Sequence, residues 1–334
     1  MTRTRTYSIA SFVLTVLLTA GVSAAGAPGL DTARVSFQPF QTNSGLFIAE
    51  HEGYFAAQRI KITWVPFAFP EQFIPVLAQG QLDVGASAIT PAFFNAVAAR
   101  ERLRVVAAKG HVGGRGNTGS LVVRKGLAGT VRTIQDLKGR KLATASIGSF
   151  AHYVLAKALA NGGVSPSQVT VVHMPLPAAA AALQTGAVDA AVLPLPLDAV
   201  VVENGIAFRL MDFGDIVPDE PTGFIIYGPT LAEQNRALGT RFMIAYLRGV
   251  RRYNEGPTPR NAAIVAEYLK VSMEIARKGW AGIHPDGFMD VVRMRRFQDW
   301  LFDLGLIAVR NPMSTVIDLA FLEDAREALG VSGR

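Results

Sequence analysis

The sequence predicts an α/β protein built as two lobes, and three observations carry that expectation. A chain of 334 residues exceeds the size at which one hydrophobic core keeps growing. Short apolar runs of strand length alternate with segments of helical periodicity, the pattern of a largely parallel sheet covered on both faces. Finally, Leu77-Ala78-Gln79-Gly80-Gln81-Leu82-Asp83-Val84 returns in altered form as Leu183-Gln184-Thr185-Gly186-Ala187-Val188-Asp189-Ala190. In each copy a helix closes at glycine, which suits a left-handed C-cap, and a short turn feeds an apolar strand. Two lobes of like topology account for the pair.

The chain begins with targeting features. Arg3 and Arg5 precede an apolar run over 9–18, and Val22-Ser23-Ala24 or Ala25-Gly26-Ala27 supplies small residues for cleavage. This predicts a secretory signal peptide over 1–27, since the run is too short to span a bilayer, and with it a periplasmic location. The chain has no cysteine, which excludes disulfides, thiol nucleophiles, Cys-ligated metals and a lipidated N-terminal Cys.

Next come a strand over 33–40, a loop over 39–45, a helix over 46–55 and a strand over 60–67. A short helix over 73–79 leads into a buried strand over 82–86. Thr90 is placed to cap a helix that Pro91 opens and that runs to 99, and a strand over 103–108 completes the unit. The same grammar resumes with strands over 120–123, 141–145, 169–174 and 188–193, and helices over 134–137, 149–161 and 178–185. Pro194-Leu195-Pro196 stops regular structure there. A strand over 224–227 precedes helices over 241–253, 260–269, 272–278, 285–304 and 315–329. In the first of these, Phe242, Ala245, Tyr246, Gly249 and Val250 form the inward face, with Arg248, Arg251 and Arg252 outward.

Several of these segments, taken in order, resemble the nitrate, sulfonate and taurine type of ABC-transporter substrate-binding proteins, which also includes binders of thiamine-pyrimidine precursors. Glu50-His51-Glu52-Gly53-Tyr54-Phe55 resembles the family's GYF helix end. Leu77 to Gly85 resembles its L..G..D.G strand entry, and Asp136-Leu137-Lys138-Gly139-Arg140 its DLKGK segment. Arg241 to Gly249 resembles its C-terminal F..A...A helix. The resemblance runs from about 33 to 329. It implies a type II periplasmic binding protein fold, with two α/β lobes joined by two crossover segments. Lobe one would take 33–111 and 224–334, lobe two 120–215, and the crossovers 112–119 and 216–223. It also implies a small organic ligand, a sulfonate or carboxylate, passed to ABC permease and ATPase subunits by a monomer without cofactor.

In such sheets ligands meet the carboxyl ends of strands and the helix N-termini that follow. Gln41, Thr42 and Asn43 follow the first strand with neutral donors and acceptors. Ser87 and Thr90 follow the 82–86 strand, where hydroxyls and free N–H groups suit an oxyanion. Ser146, Gly148 and Ser149 follow the 141–145 strand, with His152 in the first turn of the next helix. Pro194 belongs to an apolar segment where relatives are more polar, which favours an organic body over nitrate. Phe40, Phe67 and Phe69 could wall the cleft, and Asn117, Thr118 and Thr222 sit beside the crossovers. The neutral 41–43 loop fits a pyrimidine or other heterocycle, whereas the serines fit an oxyanion.

Other function classes lack their residues. His51, His111, His152, His173 and His284 show no metal-ligand spacing, no serine sits in a G-x-S-x-G elbow, and Gly110 to Gly116 lacks the P-loop Lys-Ser/Thr. A net charge of +7 is scattered, with no basic block for nucleic acid. Asp83 and Asp189 occupy the repeated turns as acceptors of N–H groups. Solute capture is therefore expected rather than catalysis, with a sensory binding module as the alternative.

Overall fold

Ten strands of alternating or continuous apolar character assemble into two sheets in the computed structural model, which describes residues 29–113 and 117–331. The expected signal peptide over 1–27, and residues 114–116 of the glycine-rich segment, lie outside the described residues. The strands are β1 (Asp31–Phe37), β2 (Ile60–Pro66), β3 (Val84–Ser87), β4 (Arg104–His111), β5 (Gly119–Arg124), β6 (Lys141–Thr144), β7 (Thr170–His173), β8 (Ala190–Pro194), β9 (Ala207–Asp212) and β10 (Pro221–Tyr227).

The two sheets have orders β2-β1-β3-β10-β4 and β7-β6-β8-β5-β9. Strand for strand they are the same sheet. Each is parallel except for one strand: β10 pairs antiparallel with β3 and β4, and β5 with β8 and β9. These two are the strands that arrive from the other sheet. Entering from the edge that faces the partner sheet, each must run opposite to strands whose carboxyl ends point there. Two mixed α/β lobes exchanging one strand each form the type II periplasmic binding arrangement.

The weak repeat has a physical basis. Asp83 accepts hydrogen bonds from the Arg34 backbone N–H at 2.8 Å, Arg34 Nε at 2.9 Å and Arg34 Nη2 at 2.8 Å. Asp189 accepts from the Lys141 backbone N–H at 3.1 Å and Arg124 Nε at 3.0 Å. Both carboxylates sit in the turn before a central strand, β3 or β8, and grip the equivalent first strand, β1 or β6. Gly80 and Gly186 before them hold φ of 68° and 76°, the left-handed region that makes glycine the fitting residue.

The Arg236–Asn254 helix buries the face expected of it, with Phe242, Ala245, Tyr246, Gly249 and Val250 all inside. Gly249 is required there, because a Cβ would strike the Gly45 carbonyl oxygen of the Ser44–His51 helix. That helix is shorter than the expected 46–55, since Gly53 at φ 73° breaks it before Tyr54–Ala57. The expected 285–304 helix starts only at Val291, where Asp290 accepts from the Val292 and Arg293 N–H groups as its cap. Among the elements not expected are a helix and a strand that follow β8. The Leu197–Glu203 helix starts directly after Pro196 and leads into β9, so the proline pair closes one strand and opens a helix. Among the described residues no helix is long and apolar enough to cross a membrane.

Removing the Asp83 carboxylate leaves Arg34 without its partner and the β3 turn without its anchor. Asp83→Ala is expected to lower unfolding free energy by about 2–4 kcal/mol, and Asp189→Ala by about 1–2 kcal/mol. Urea denaturation of the two variants beside the parent checks both the size and the order.

Candidate functional site

The carboxyl ends of the parallel strands of both sheets face one another across a partly open cavity. Its volume is about 220 Å³, roughly seven waters' share of the liquid, enough for a molecule of one or two rings. Sheet one contributes Gln38, Phe40 and Thr42 after β1, Phe67 and Phe69 after β2, and Ser87 after β3. Lys109 of β4 and Thr222 at the start of β10 complete that side. Sheet two contributes Thr118 before β5, Ala145 after β6, and Ser149 and Phe150 at the next helix start. Pro175 and Leu176 after β7, Pro194 and Leu197 after β8, and Phe213 after β9 close the wall.

Most of this surface is apolar, so the few polar groups decide what fits. Among the described residues Lys109 is the sole ionisable side chain on the wall. It is 2% exposed and donates to Thr42 Oγ1 at 3.0 Å. Among the described residues no carboxylate pairs with it. Burial alone pulls its pKa down to about 7, because a low-dielectric surrounding disfavours the ammonium form. Nearby, the Thr118 and Thr222 hydroxyls are buried without a hydrogen-bond partner among the described residues. Buried hydroxyls are normally satisfied; these two are shut off from the cavity space as well as from a partner. Ser87 donates to Gln38 Oε1, and Ser149 Oγ caps its helix by accepting from the His152 N–H at 3.3 Å.

The residues singled out from sequence separate into two groups. Phe40, Thr42, Ser87, Ser149, Pro194 and Thr222 lie on the cavity wall, as do Phe67 and Phe69. Gln41 and Asn43 turn away from it: Gln41 Nε2 donates to Ala276 O at 3.3 Å and Asn43 Nδ2 to Gln38 O at 2.8 Å. Thr90 and Ser146 line a separate outer recess with Phe69, Ile147, His173 and Leu306. Thr90 holds the cap position by backbone, yet its hydroxyl makes no cap bond. The Gly148 N–H donates to His152 Nδ1 at 3.0 Å, and the His152 ring packs edge-on to Trp300 at 5.4 Å. Burial, and then His173, lowers the His152 pKa. Asn117 Oδ1 accepts from the Thr118 and Gly119 N–H groups and so shapes the crossover.

Lys109, Gln38 and Phe213 were missed, whereas Thr118, noted with Asn117 beside the first crossover, is on the wall. The signal for Lys109 was present: it is the charged residue that ends the apolar run Val105-Val106-Ala107-Ala108, at the carboxyl end of a buried strand. A second set of contacts holds the lobes together over the cavity. The Gln41 N–H donates to Leu195 O at 3.1 Å, Lys278 Nζ pairs with Glu203 Oε1 at 3.0 Å, and Leu195 packs with Ala199 and Ala281. Gly148 has no room for a side chain, since a Cβ would stand 2.5 Å from Pro91 Cγ of the opposite lobe. Among the described residues no group of three or more His, Asp or Glu side chains is placed to share a metal ion.

Residues 41–259 match the sequence profile described as NMT1/THI5 like. The taurine-binding periplasmic protein of Escherichia coli strain K12 is 30% identical over 163 residues, 47% of each chain. The chain spans about half the length of the curated relatives it matches. Among solved structures, the alkanesulfonate-binding protein SsuA from Xanthomonas axonopodis pv. citri, bound to MOPS, superposes with a TM-score of 0.71 at 22% identity, covering 87% of this chain and 99% of that one. The desulfurization enzyme DSZB superposes with a TM-score of 0.67 at 16% identity, over 90% and 99%. At such identities the likeness is one of fold.

The buried lysine has a measurable cost. Its ammonium titrates near 10.4 in an unfolded chain but near 7 in the empty folded one, so the unfolded state binds more protons between those values. Stability is therefore lowest below pH 7 and is regained as pH rises toward 10. Lys109→Met is expected to be more stable than the parent at pH 6, by up to about 5 kcal/mol, with the gap closing by pH 10. Chemical denaturation of both proteins at the two pH values checks the sign.

Proposed function

The chain belongs to the NMT1/THI5-like family, and from that premise we propose that it captures a small organic acid, a sulfonate or carboxylate, in the periplasm and delivers it to an ABC importer. One observation carries the reading: a largely apolar cavity between two like sheets, with one cationic side chain, Lys109, among the described residues of its wall. A cavity so placed can be opened and shut by moving one lobe on the crossovers near 112–119 and 216–223. Cargo that touches both lobes then shifts the population toward the closed form. Lobe one would comprise 33–111 and 224–334, and lobe two 120–215.

What the relatives bind agrees with this direction. A taurine-binding periplasmic protein and a putative aliphatic sulfonates-binding protein of Escherichia coli strain K12 are the curated matches. Export fits the leader expected over 1–27. The partners would be a permease and its ATPase, which recognise the closed lobes. Among the described residues the wall offers no thiol, imidazole or carboxylate, the chain has no cysteine, and the Lys109 amine has no second ionisable group beside it to complete a reactive pair, so capture without chemistry is the reading. A neutral heterocycle has less support, because of Gln41, Thr42 and Asn43 only Thr42 lies on the cavity wall, and it accepts from Lys109.

The test is a thermal-shift screen on protein stripped of cargo by unfolding and refolding. Aryl and alkyl sulfonates, aromatic carboxylates, nitrate and pyrimidines form the panel. An organic acid at a hundredfold excess over its Kd should raise Tm by about 5 °C or more, with nitrate inert. A shift with pyrimidines alone would transfer the cargo to the heterocycle class. No shift with any of these, joined to no molecule retained by the protein purified without unfolding, would sink capture itself.

A further inference from the structure

We propose that Lys109 sets the charge of the cargo, so that the cavity accepts acids bearing a single negative charge on an apolar, ring-sized body without an amino group. The inference rests on the capture reading above and narrows it.

Charge balance inside the cavity leads to this. Lys109 Nζ carries three donors and spends one on Thr42 Oγ1. Thr42, Lys109, Thr118 and Thr222 all belong to the cavity wall, and the Thr118 and Thr222 hydroxyls are buried without partners among the described residues. The ammonium, with two donors left to spend, matches an acid head group with several acceptor oxygens. One cation neutralises one charge. A dianion would leave its second charge against Phe and Pro side chains, where an unpaired ion is costly. A zwitterion would bring an ammonium into a wall that, among the described residues, contains no Asp or Glu. Below pH 7 a neutral guest would leave the Lys109 ammonium with Thr42 as its hydrogen-bond partner among the described residues.

The body is specified by what surrounds this cluster. Phe40, Phe67, Phe69, Phe150 and Phe213 supply flat apolar faces, and the cavity volume of about 220 Å³ admits one or two rings. The same geometry makes binding depend on protonation. Among the described residues no Asp, Glu, His, Arg or Tyr shares the wall with Lys109, and burial is the influence that shifts it. The empty site therefore loses its proton near pH 7, and an incoming anion must restore it.

The experiment uses the full mature protein, freed of cargo by refolding. Titration calorimetry would compare benzenesulfonate, naphthalene-2-sulfonate and benzoate with benzamide, benzene-1,3-disulfonate, taurine and 4-(aminomethyl)benzoate. In parallel, mass spectrometry would identify whatever the protein retains when it is purified without unfolding. At pH 6 the monoanions, or a retained monoanion, should bind about a hundredfold tighter than the neutral, dianionic and zwitterionic compounds. Their association constant should be flat below pH 7 and fall about tenfold per unit above it. In Lys109→Met both the preference and the pH dependence should vanish while benzamide binding is kept. The pH profile of the parent tests the idea without any variant. Equal affinity for benzamide or taurine at pH 6, a retained neutral or zwitterionic molecule, or a preference that survives Lys109→Met would overturn the assignment and leave capture standing. If nothing in the set binds and nothing is retained, the capture reading fails and the assignment falls with it.

Discussion

An ammonium group withdrawn from water with no carboxylate facing it is an expensive thing to build into a fold, and Lys109 is placed in that position. It is 2% exposed, at the carboxyl end of a central sheet, on the wall of the cavity where the two lobes meet. Nothing in the core asks for a cation there: a methionine would fill the same space. Loss of the proton near pH 7 relieves the strain, and so would an anion that pairs with the ammonium. The proposed cargo, with an apolar body to suit the walls, would supply that anion.

The rest of the architecture serves to make that site closable. Each sheet has the same order, and each receives its antiparallel strand from the other lobe, so two crossovers rather than one fix the axis between them. Asp83 and Asp189 pin the turns that feed the two central strands, which keeps the strand ends facing the cavity in register. Across the mouth, the Gln41 to Leu195 hydrogen bond and the Lys278 to Glu203 pair add contacts between the lobes. One neutral hydrogen bond and a solvent-facing ion pair contribute little each. Closure can thus be held by cargo and still be reversible.

Much of the fold was legible from the chain. The alternation of short apolar runs and helices, and the repeated glycine and aspartate turn, were enough to suggest two like lobes. β9 was not legible, because Pro194-Leu195-Pro196 looked like a terminator and Ala207–Asp212 mixes Arg209 and Asp212 with its apolar residues. The site was legible only as a set of strand ends. Which side chain faces the cavity depends on the turn: Gln41–Asn43 forms a 3-10 turn, whose three residues per turn send successive side chains to different sides. Thr42 reaches the wall, while its neighbours point into the protein. Lys109 was missed for a different reason. Strand positions were read for hydrophobicity, and a lone charge at the end of an apolar run passes for a surface residue until the second sheet is seen to cover it.

The ionisation of Lys109 can be observed directly. Protein with isotope-labelled lysine, the Lys109 signal being identified by its loss in Lys109→Met, would be titrated by NMR with the cavity empty and again with an acid bound. The expected result is a transition near pH 7 in the empty protein, as burial dictates, and an ammonium that persists well above that pH once the cavity is occupied. A transition near 10.4 in the empty protein, the value of a hydrated lysine, or one that bound acid leaves unchanged, would contradict the claim that this buried charge is what the cargo answers.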